Sequence, residues 1–279
     1  MIELGKIQNL EVVRESDFGV YLNTKEEKDE NDILLPNKQV PEGAKIGDEI
    51  EVFVHRDTED RLIATTHTPK LTLGKVAVLE VVEVTNIGAF LDWGLQKDLF
   101  LPFKEQVGTV KKGDQVIVGL YIDKSDRLCA TMKVYDILSC QSPYKQNQSV
   151  TGLVYNIKQD LGVLVAVDYT FHGLIPVKEV FGHYKVGDTV QLRVKKIRPD
   201  GKLELSARKQ AYQQIEDDSK KLMKALEDRS GLLTLNDKSS PELIKAELNM
   251  SKASFKRAVG RLLKEGAITL TDTGIKRSW

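Results

Sequence analysis

Basic residues near the start of the last third of the chain have the spacing of a phosphate-binding surface. Seven lysines and arginines lie within the 17 positions from Arg193 to Lys209, where only Asp200 and Glu204 are acidic. Cationic side chains at this density neutralise phosphates and release counterions, which supplies most sequence-independent affinity for nucleic acids. The alternative is a solvated strand face and turn. The seven are Arg193, Lys195, Lys196, Arg198, Lys202, Arg208 and Lys209.

A second basic set falls on a predicted helix that follows Ser251. Phe255, Ala258 and Leu262 recur at the spacing of one helical face, which indicates a core-facing stripe that ends just before Gly266. A helix-turn-helix places its recognition helix at this point of its sequence. A basic face that only keeps a surface helix soluble is the alternative. The basic residues, mostly on the other faces, are Lys252, Lys256, Arg257, Arg261 and Lys264.

Motifs for catalysis and cofactor binding are absent from the sequence. It contains no GxxxxGK[ST], GxGxxG, HExxH or GxSxG pattern. Cys129 and Cys140 lack the C-x-x-C spacing of a zinc site. We therefore expect no catalytic residue, no metal and no cofactor, and a protein that is not an enzyme. The histidines are scattered at His55, His67, His172 and His183, the last two in loop-like stretches.

The charge of the chain is balanced overall but unevenly distributed, with 41 basic and 41 acidic residues. Residues 1–68 carry 8 basic and 16 acidic groups, and residues 69–149 carry 10 and 9. Residues 150–213 carry 10 and 6, and residues 214–279 carry 13 and 10. Because a segment's own charge governs what it can approach, a nucleic-acid partner is expected at the C-terminal half.

The sequence shows no membrane or secretion signal. No run approaches the roughly 20 apolar residues that a membrane helix needs. The first residues alternate apolar and polar side chains and include Glu3, which is unlike a signal peptide. Two cysteines are too few for a disulfide scaffold. We expect a cytoplasmic protein with no membrane partner.

Three stretches of the chain align with one another, and each predicts a small five-stranded barrel. In each, runs rich in Val, Ile and Leu alternate with polar residues between turn residues, as strands do. The OB-fold is the five-stranded solution that closes on itself. The inner glycine of each repeat is expected where a strand bends. The inner glycines are Gly19, Gly88 and Gly162, and a Gly-Asp pair follows 11 residues after Pro36, Pro102 and Pro176.

After Lys209 the hydrophobic period changes from that of strands to that of helices. Helix, short strand, helix, turn, helix and hairpin follow, which is the order of a winged helix. Pro241 begins the second helix with Ser240 as its N-cap. The predicted fold is mainly β, with three consecutive five-stranded OB-fold barrels followed by an α+β winged-helix domain. The predicted domains are residues 1–68, 69–145, 146–210 and 211–279.

The residues around the inner glycines carry a family resemblance. The segments FGVYL, IGAFL and LGVLV, followed by Gly-Asp and an ending RL or KL, two residues, then Ser or Thr, look like the ribosomal-protein-S-one type of OB-fold RNA-binding domain. Three such repeats and a winged helix resemble the conserved virulence factor B family over essentially the whole chain. The resemblance implies a bacterial RNA-binding regulator of gene expression, acting after transcription and connected with virulence.

The family's ligand face uses two aromatic residues beside the inner glycine, a histidine on the third strand and an acid-basic pair around the last turn. Aromatic faces stack bases at about 1–3 kcal/mol each. The resemblance assigns Phe18, Tyr21, Asp57 and Arg61 in the first repeat and Phe90, Asp123 and Arg127 in the second, where Ile87 takes the other aromatic position. The third has Leu161, Leu164, Arg198 and Lys202, and the histidine position holds Pro36, Pro102 and Pro176.

Two signals conflict in this assignment. The first repeat has the better aromatic pair but is acidic, whereas the third is the most basic and has no pair. Because phosphate neutralisation dominates affinity, we expect binding of single-stranded RNA mainly by the third barrel and the winged helix, along a basic track. The first repeat would add selectivity or bind a protein. Alternatively, Phe18 and Tyr21 pack inside the barrel.

The predicted function is therefore non-enzymatic binding of single-stranded RNA by a post-transcriptional regulator. One alternative is a transcription regulator that binds DNA through its winged helix. Another is a protein-interaction adaptor associated with a ribosome or nuclease, which the acidic first repeat favours. The sequence leaves the oligomeric state open.

Overall fold

The structure, a computed structural model, describes residues 1–25, 31–180, 182–207 and 211–278. The chain divides into two compact units, Met1–Ala207 and Arg208–Trp279. In the described residues, no helix combines the length and apolar composition needed to cross a lipid bilayer.

The first barrel is a closed sheet in which neighbouring strands are antiparallel except for one parallel pair. Its apolar core is made by side chains that alternate along the strands, with Leu10 and Val12 from the first strand and Leu22 from the second. The strand order is β1-β2-β3-β5-β4. The strands are β1 (Ile7–Ser16), β2 (Gly19–Asn23), β3 (Ile33–Pro36), β4 (Glu49–Arg56) and β5 (Leu62–Thr65).

The second and third repeats form the same five-stranded arrangement, which confirms the predicted fold class. The second sheet has the order β10-β9-β6-β7-β8, and the third is a closed barrel, β11-β12-β13-β15-β14. The second comprises β6 (Val76–Val84), β7 (Gly88–Asp92), β8 (Leu99–Pro102), β9 (Gln115–Ile122) and β10 (Leu128–Thr131). The third comprises β11 (Ser149–Lys158), β12 (Gly162–Val167), β13 (Phe171–Pro176), β14 (Thr189–Ile197) and β15 (Leu203–Ser206).

The Gly-Asp pair of each repeat fastens a loop to the first strand of its barrel. In the first barrel, Gly47 N donates to Val12 O at 2.8 Å, and Val12 N donates to Asp48 O at 2.9 Å. The Asp48 carboxylate accepts a hydrogen bond from Lys45 N at 2.8 Å. Val12 lies where β1 has a bulge. The pairs Gly113-Asp114 with Val81 and Gly187-Asp188 with Val154 repeat these bonds, so the spacing of 11 residues has a structural cause.

The inner glycines begin the second strand of each repeat, at points where the neighbouring strand approaches too closely for a side chain. Gly162 begins β12 with φ of 122°, and an added Cβ would overlap the carbonyl oxygen of Ile175 on β13. It pairs with Pro176, the last residue of β13. Gly19 and Gly88 hold the same position in the other repeats.

Apolar side chains join the three barrels of the first unit. Phe53 of β4 is buried in the core of the second sheet, where its ring meets Trp93 edge-on with centroids 5.7 Å apart. At the next junction, Val134 and Leu138, which lie between the second and third sheets in the sequence, pack with Ala166 of β12. Each junction therefore buries residues from both sides.

The second unit has the elements of a winged helix in the predicted order. Ser240 and Ser251 accept N-cap hydrogen bonds from Leu243 N and Ser254 N, as expected from the sequence. Asn249 ends a helix in the left-handed conformation. The elements are α1 (Ala211–Glu227), β16 (Leu232–Leu233), α2 (Pro241–Leu248), α3 (Lys252–Lys264), β17 (Ile268–Thr271) and β18 (Gly274–Arg277), with sheet order β16-β18-β17.

We predict that Gly162→Ala destabilises the protein by about 2–4 kcal/mol, because the new methyl group meets a backbone carbonyl and φ is unfavourable. Gly182→Ala is the matched control, since Gly182 has φ of 85° but no atom within 4 Å of its added Cβ. Urea unfolding measures both. Equal losses would contradict the steric explanation.

Candidate nucleic-acid interface

The two first-barrel aromatic residues predicted to stack bases are placed differently. Phe18, in the turn before β2, is 75% exposed, so the alternative that it packs inside the barrel is wrong. Tyr21 on β2 is half-buried, and the guanidinium of Arg14 lies 3.4 Å from its ring centroid. Arg14 Nε is also 3.4 Å from Asp32 Oδ2. Phe18 therefore offers an open ring, whereas Arg14 covers Tyr21.

The first-barrel acid-basic pair forms as the resemblance implied. Arg61 donates from Nε and Nη2 to Asp57 Oδ2, at 2.9 and 2.8 Å. Its third nitrogen, Nη1, lies 3.0 Å from Glu59 Oε2. The charge of Arg61 is thus shared with two carboxylates, which weakens its attraction for phosphate.

In the second barrel, Phe90 packs against another aromatic residue rather than standing alone. Its ring centroid lies 5.3 Å from that of Phe100 on the neighbouring strand β8, at 39°. The guanidinium of Arg127 makes an ion pair with Asp60 of the first barrel, while its backbone N–H donates to Asp123. The contact between Asp123 and Arg127 is therefore made by the backbone of Arg127. The guanidinium of Arg127 instead joins the second barrel to the first.

Residues of both barrels line a cleft of about 300 Å³ at this junction. Arg56 of β4 reaches across it and donates from Nε to Asp126 O at 2.8 Å. The residues that line the cleft include Phe90, Phe100 and the half-buried His55. Burial lowers the pKa of His55, which favours its neutral form.

The positive charge of the basic stretch in the third barrel is neutralised by carboxylates to a greater extent than the sequence suggests. Lys195 Nζ lies 2.9 Å from Glu179 Oε1 and 3.2 Å from Glu204 Oε1. These two hydrogen bonds raise the pKa of Lys195. Glu179 belongs to the 3-10 turn after β13, 16 residues earlier, so counting acids only within the basic stretch missed it. The Lys195 ammonium is therefore held in ion pairs with two carboxylates of its own barrel.

The remaining basic residues of this stretch differ in exposure. Arg193 Nη1 donates to Asn147 Oδ1 at 2.7 Å, and Arg193 is half-buried like Lys195. Lys196 and Arg198 are exposed, at the end of β14 and in the turn that follows. Asp200 in this turn lies 3.6 Å from Arg198 Nε and 3.3 Å from Lys202 Nζ. The exposed cations are thus concentrated at one turn, whereas Arg208 lies outside the described residues.

The aromatic and histidine positions of the third barrel are filled by residues without stacking faces. Leu161 is exposed in the turn before β12, and Leu164 is buried. Pro176 pairs with the inner glycine, as Pro36 and Pro102 do in their barrels. Each proline ends the third strand and starts a 3-10 turn.

The linker after the second sheet brings an aromatic residue that sequence reasoning had missed. Tyr135 is 48% exposed, and its ring centroid lies 4.6 Å from that of His172. His172 is buried in β13, which corrects its expected loop position. Lys202 Nζ donates to the Tyr135 hydroxyl at 2.9 Å. In the sequence, the feature that could have indicated this residue is that Tyr135 is an aromatic residue between two repeats, outside the motif positions of the family.

Helix α3 exposes part of its predicted basic set. Phe255, Ala258 and Leu262 form its buried side. Lys256 and Arg257 are exposed on the opposite side, next to Ala253, Gly260 and Lys264. The half-buried residues of the set are Lys252 and Arg261, and Arg261 Nε donates to Glu265 at 2.7 Å.

Family models and protein relatives match nearly the whole chain. The model of the S1 domain matches residues 4–67 and 73–133, that of the second domain of virulence regulatory factor CvfB matches 136–209, and that of the CvfB-like winged helix domain matches 220–276. A conserved virulence factor B from Staphylococcus saprophyticus is 30% identical over 261 residues, 90% of this chain and 83% of that protein. This chain belongs to the conserved virulence factor B family.

Two other relatives match over similar lengths. The Bacillus subtilis protein YitL, described as uncharacterized, is 32% identical over 95% of this chain and 90% of its own. A crystal structure from Streptococcus pneumoniae, described as a multidomain protein with nucleic acid binding domains, is 27% identical, covers 98% of both chains and has a TM-score of 0.40.

We predict that Lys195→Met lowers the melting temperature more than Lys196→Met does. Removing Lys195 leaves the carboxylates of Glu179 and Glu204 close together without their shared cation. Lys196 is exposed, and no ion pair involves it within the described residues. Thermal unfolding followed by circular dichroism gives the comparison. The same loss in both variants would show that the Lys195 network contributes nothing specific.

Proposed function

We propose that this protein binds single-stranded RNA and acts as a non-enzymatic, post-transcriptional regulator of gene expression in the cytoplasm. The third barrel and the winged helix supply most of the affinity. The observation that carries the proposal is the position of Lys196 and Arg198, which are exposed at the end of β14 and in the turn that follows it in the third barrel. OB-folds bind oligonucleotides on the face of strands two and three and on the loop between strands four and five.

The charge of each segment supports this placement. Residues 150–213 carry 10 basic and 6 acidic groups, whereas residues 1–68 carry 8 and 16. In the first barrel, Glu11 of β1 is paired directly with Glu49 of β4, so acidic side chains concentrate there. Since like charge opposes the approach of phosphate, the first barrel adds selectivity through Phe18 rather than affinity.

The winged helix contributes through the exposed cations Lys256 and Arg257 of α3. The same residues support the main alternative, a DNA-binding regulator that places α3 in a major groove. Competition between single-stranded RNA and duplex DNA separates the two functions. Preference for the duplex would favour the alternative.

We expect Lys196→Glu combined with Arg198→Glu to weaken RNA binding and to reduce its salt dependence. The slope of log K against log salt should become shallower by about 0.7 for each phosphate that the variant no longer neutralises. The matched control reverses Lys38 and Lys45, two exposed lysines of the acidic first barrel. Fluorescence anisotropy with labelled single-stranded RNA at several salt concentrations measures both. An unchanged slope after the Lys196 and Arg198 reversal would exclude the third barrel from the interface.

The same assay ranks the first barrel against the C-terminal half. Phe18→Ala is expected to reduce affinity less than charge reversal at Lys196 and Arg198, or at Lys256 and Arg257, because a single stacked base is worth about 1–3 kcal/mol. A larger loss from Phe18→Ala would move the main binding site to the first barrel.

A further inference from the structure

The outer face of β12 in the third barrel is covered by the linker that precedes the barrel. Val163, Val165 and Val167 point into the barrel core. Ala166, which alternates with them and faces outward, is buried in a cluster with Val134. The face that carries ligands in OB-folds is therefore partly occupied by linker residues from the same chain.

The residue that this linker leaves exposed is Tyr135, which directly follows Val134. Its ring packs against His172 on β13, with centroids 4.6 Å apart and planes 57° apart. Lys202, in the turn between β14 and β15, holds the hydroxyl at 2.9 Å and lies 5.3 Å from the ring centroid. Tyr135 is thus fixed between strand three and the strand-four-to-five turn, which are two parts of the OB-fold ligand surface.

Tyr135 supplies an exposed aromatic ring, which the family's stacking positions in the third barrel lack. Leucines occupy the family's aromatic positions at 161 and 164, so these two positions offer no ring for a base. Tyr135 keeps 48% of its surface exposed beside the basic turn that contains Arg198 and Lys202. A ring already held on two sides loses little conformational freedom when a base stacks on it, and a neighbouring cation can contact the adjoining phosphate.

We propose that Tyr135 is the base-stacking residue of the third barrel, supplied by the linker rather than by the barrel itself. Its ligand is one unpaired base of single-stranded RNA, whose phosphate lies toward Arg198. The inference rests on the proposed RNA binding of this barrel and assigns it a residue. The Tyr135 ring packs against His172. Burial, followed by the charge of Lys202, lowers the pKa of His172, which favours the neutral imidazole.

The test compares full-length variants on a single-stranded uridine oligonucleotide of about 12 nucleotides. Tyr135→Leu should weaken binding by about 5- to 160-fold, the range that corresponds to about 1–3 kcal/mol for one stacked base. Tyr135→Phe keeps the ring and should bind nearly as well as the unaltered protein. Tyr169→Leu is the control, since Tyr169 is another exposed tyrosine of the third barrel. Equal binding by Tyr135→Leu and the unaltered protein would overturn the inference.

A second readout separates stacking from a structural role. Tyr135→Trp places an indole at the same position, and its fluorescence should be quenched when RNA is added. The two native tryptophans, Trp93 and Trp279, also fluoresce, and their response to RNA is measured with the unaltered protein and subtracted. An oligonucleotide with the same backbone but no bases should bind the unaltered protein more weakly and should not quench the indole. Quenching of equal size by the abasic strand would overturn the stacking assignment.

The charge-reversed variant distinguishes the two proposals. If RNA binding is insensitive to reversal of Lys196 and Arg198, the proposed function of the third barrel fails and the Tyr135 assignment fails with it. If that reversal weakens binding while Tyr135→Leu does not, only the Tyr135 assignment is overturned. If both changes weaken binding and Tyr135→Phe does not, both proposals are supported.

Discussion

Burial of apolar side chains across the barrel junctions is the interaction on which the first unit depends. Phe53 enters the core of the second sheet, and Val134 and Leu138 close the next junction against Ala166. Burying one such side chain stabilises a protein by about 1.5–3 kcal/mol, which fixes neighbouring barrels against each other. Their polar turns are then fixed too, so that Arg127 meets Asp60 and Tyr135 reaches Lys202. These two contacts between repeats therefore follow from the junctions.

Packing also changes what the charges of the sequence can do. Lys195 is neutralised by Glu179 and Glu204, and Arg61 by Asp57 and Glu59. A cation that already has carboxylate partners gains less from a phosphate than one in free solution. The interface is therefore described better by exposed cations than by net charge. By exposure, the described part of the basic stretch is reduced to Lys196 at the end of β14 and Arg198 in the following turn, where Asp200 lies 3.6 Å from Arg198.

Much of the fold could be predicted because its determinants are local. A backbone carbonyl lies too close to Gly162 for a side chain, and Ser251 must lie at the start of the helix that it caps. Both requirements determine the residue type at a fixed position, so both can be recognised in the sequence. The partners of the site residues are not local. Arg127 and Asp60 are 67 residues apart, and so are Lys202 and Tyr135. Spacing within one repeat contains no information about such contacts between repeats.

The attachment of the Gly-Asp loop to the first strand also bears on how the sequences of the three barrels differ from one another. The loop must bring two backbone hydrogen bonds to the bulge of the first strand, while the Asp carboxylate accepts a hydrogen bond from the loop's own backbone. These bonds constrain the length of the loop more than its composition. The three loops, PNKQVPEGAKIGD, PFKEQVGTVKKGD and PVKEVFGHYKVGD, share few residues but have one length. Loop side chains outside the Gly-Asp pair can therefore differ between the repeats, whereas a change of length would displace the pair from the bulge. Within this chain, the number of residues in the loop is the same in all three repeats, although 8 of its 13 positions differ.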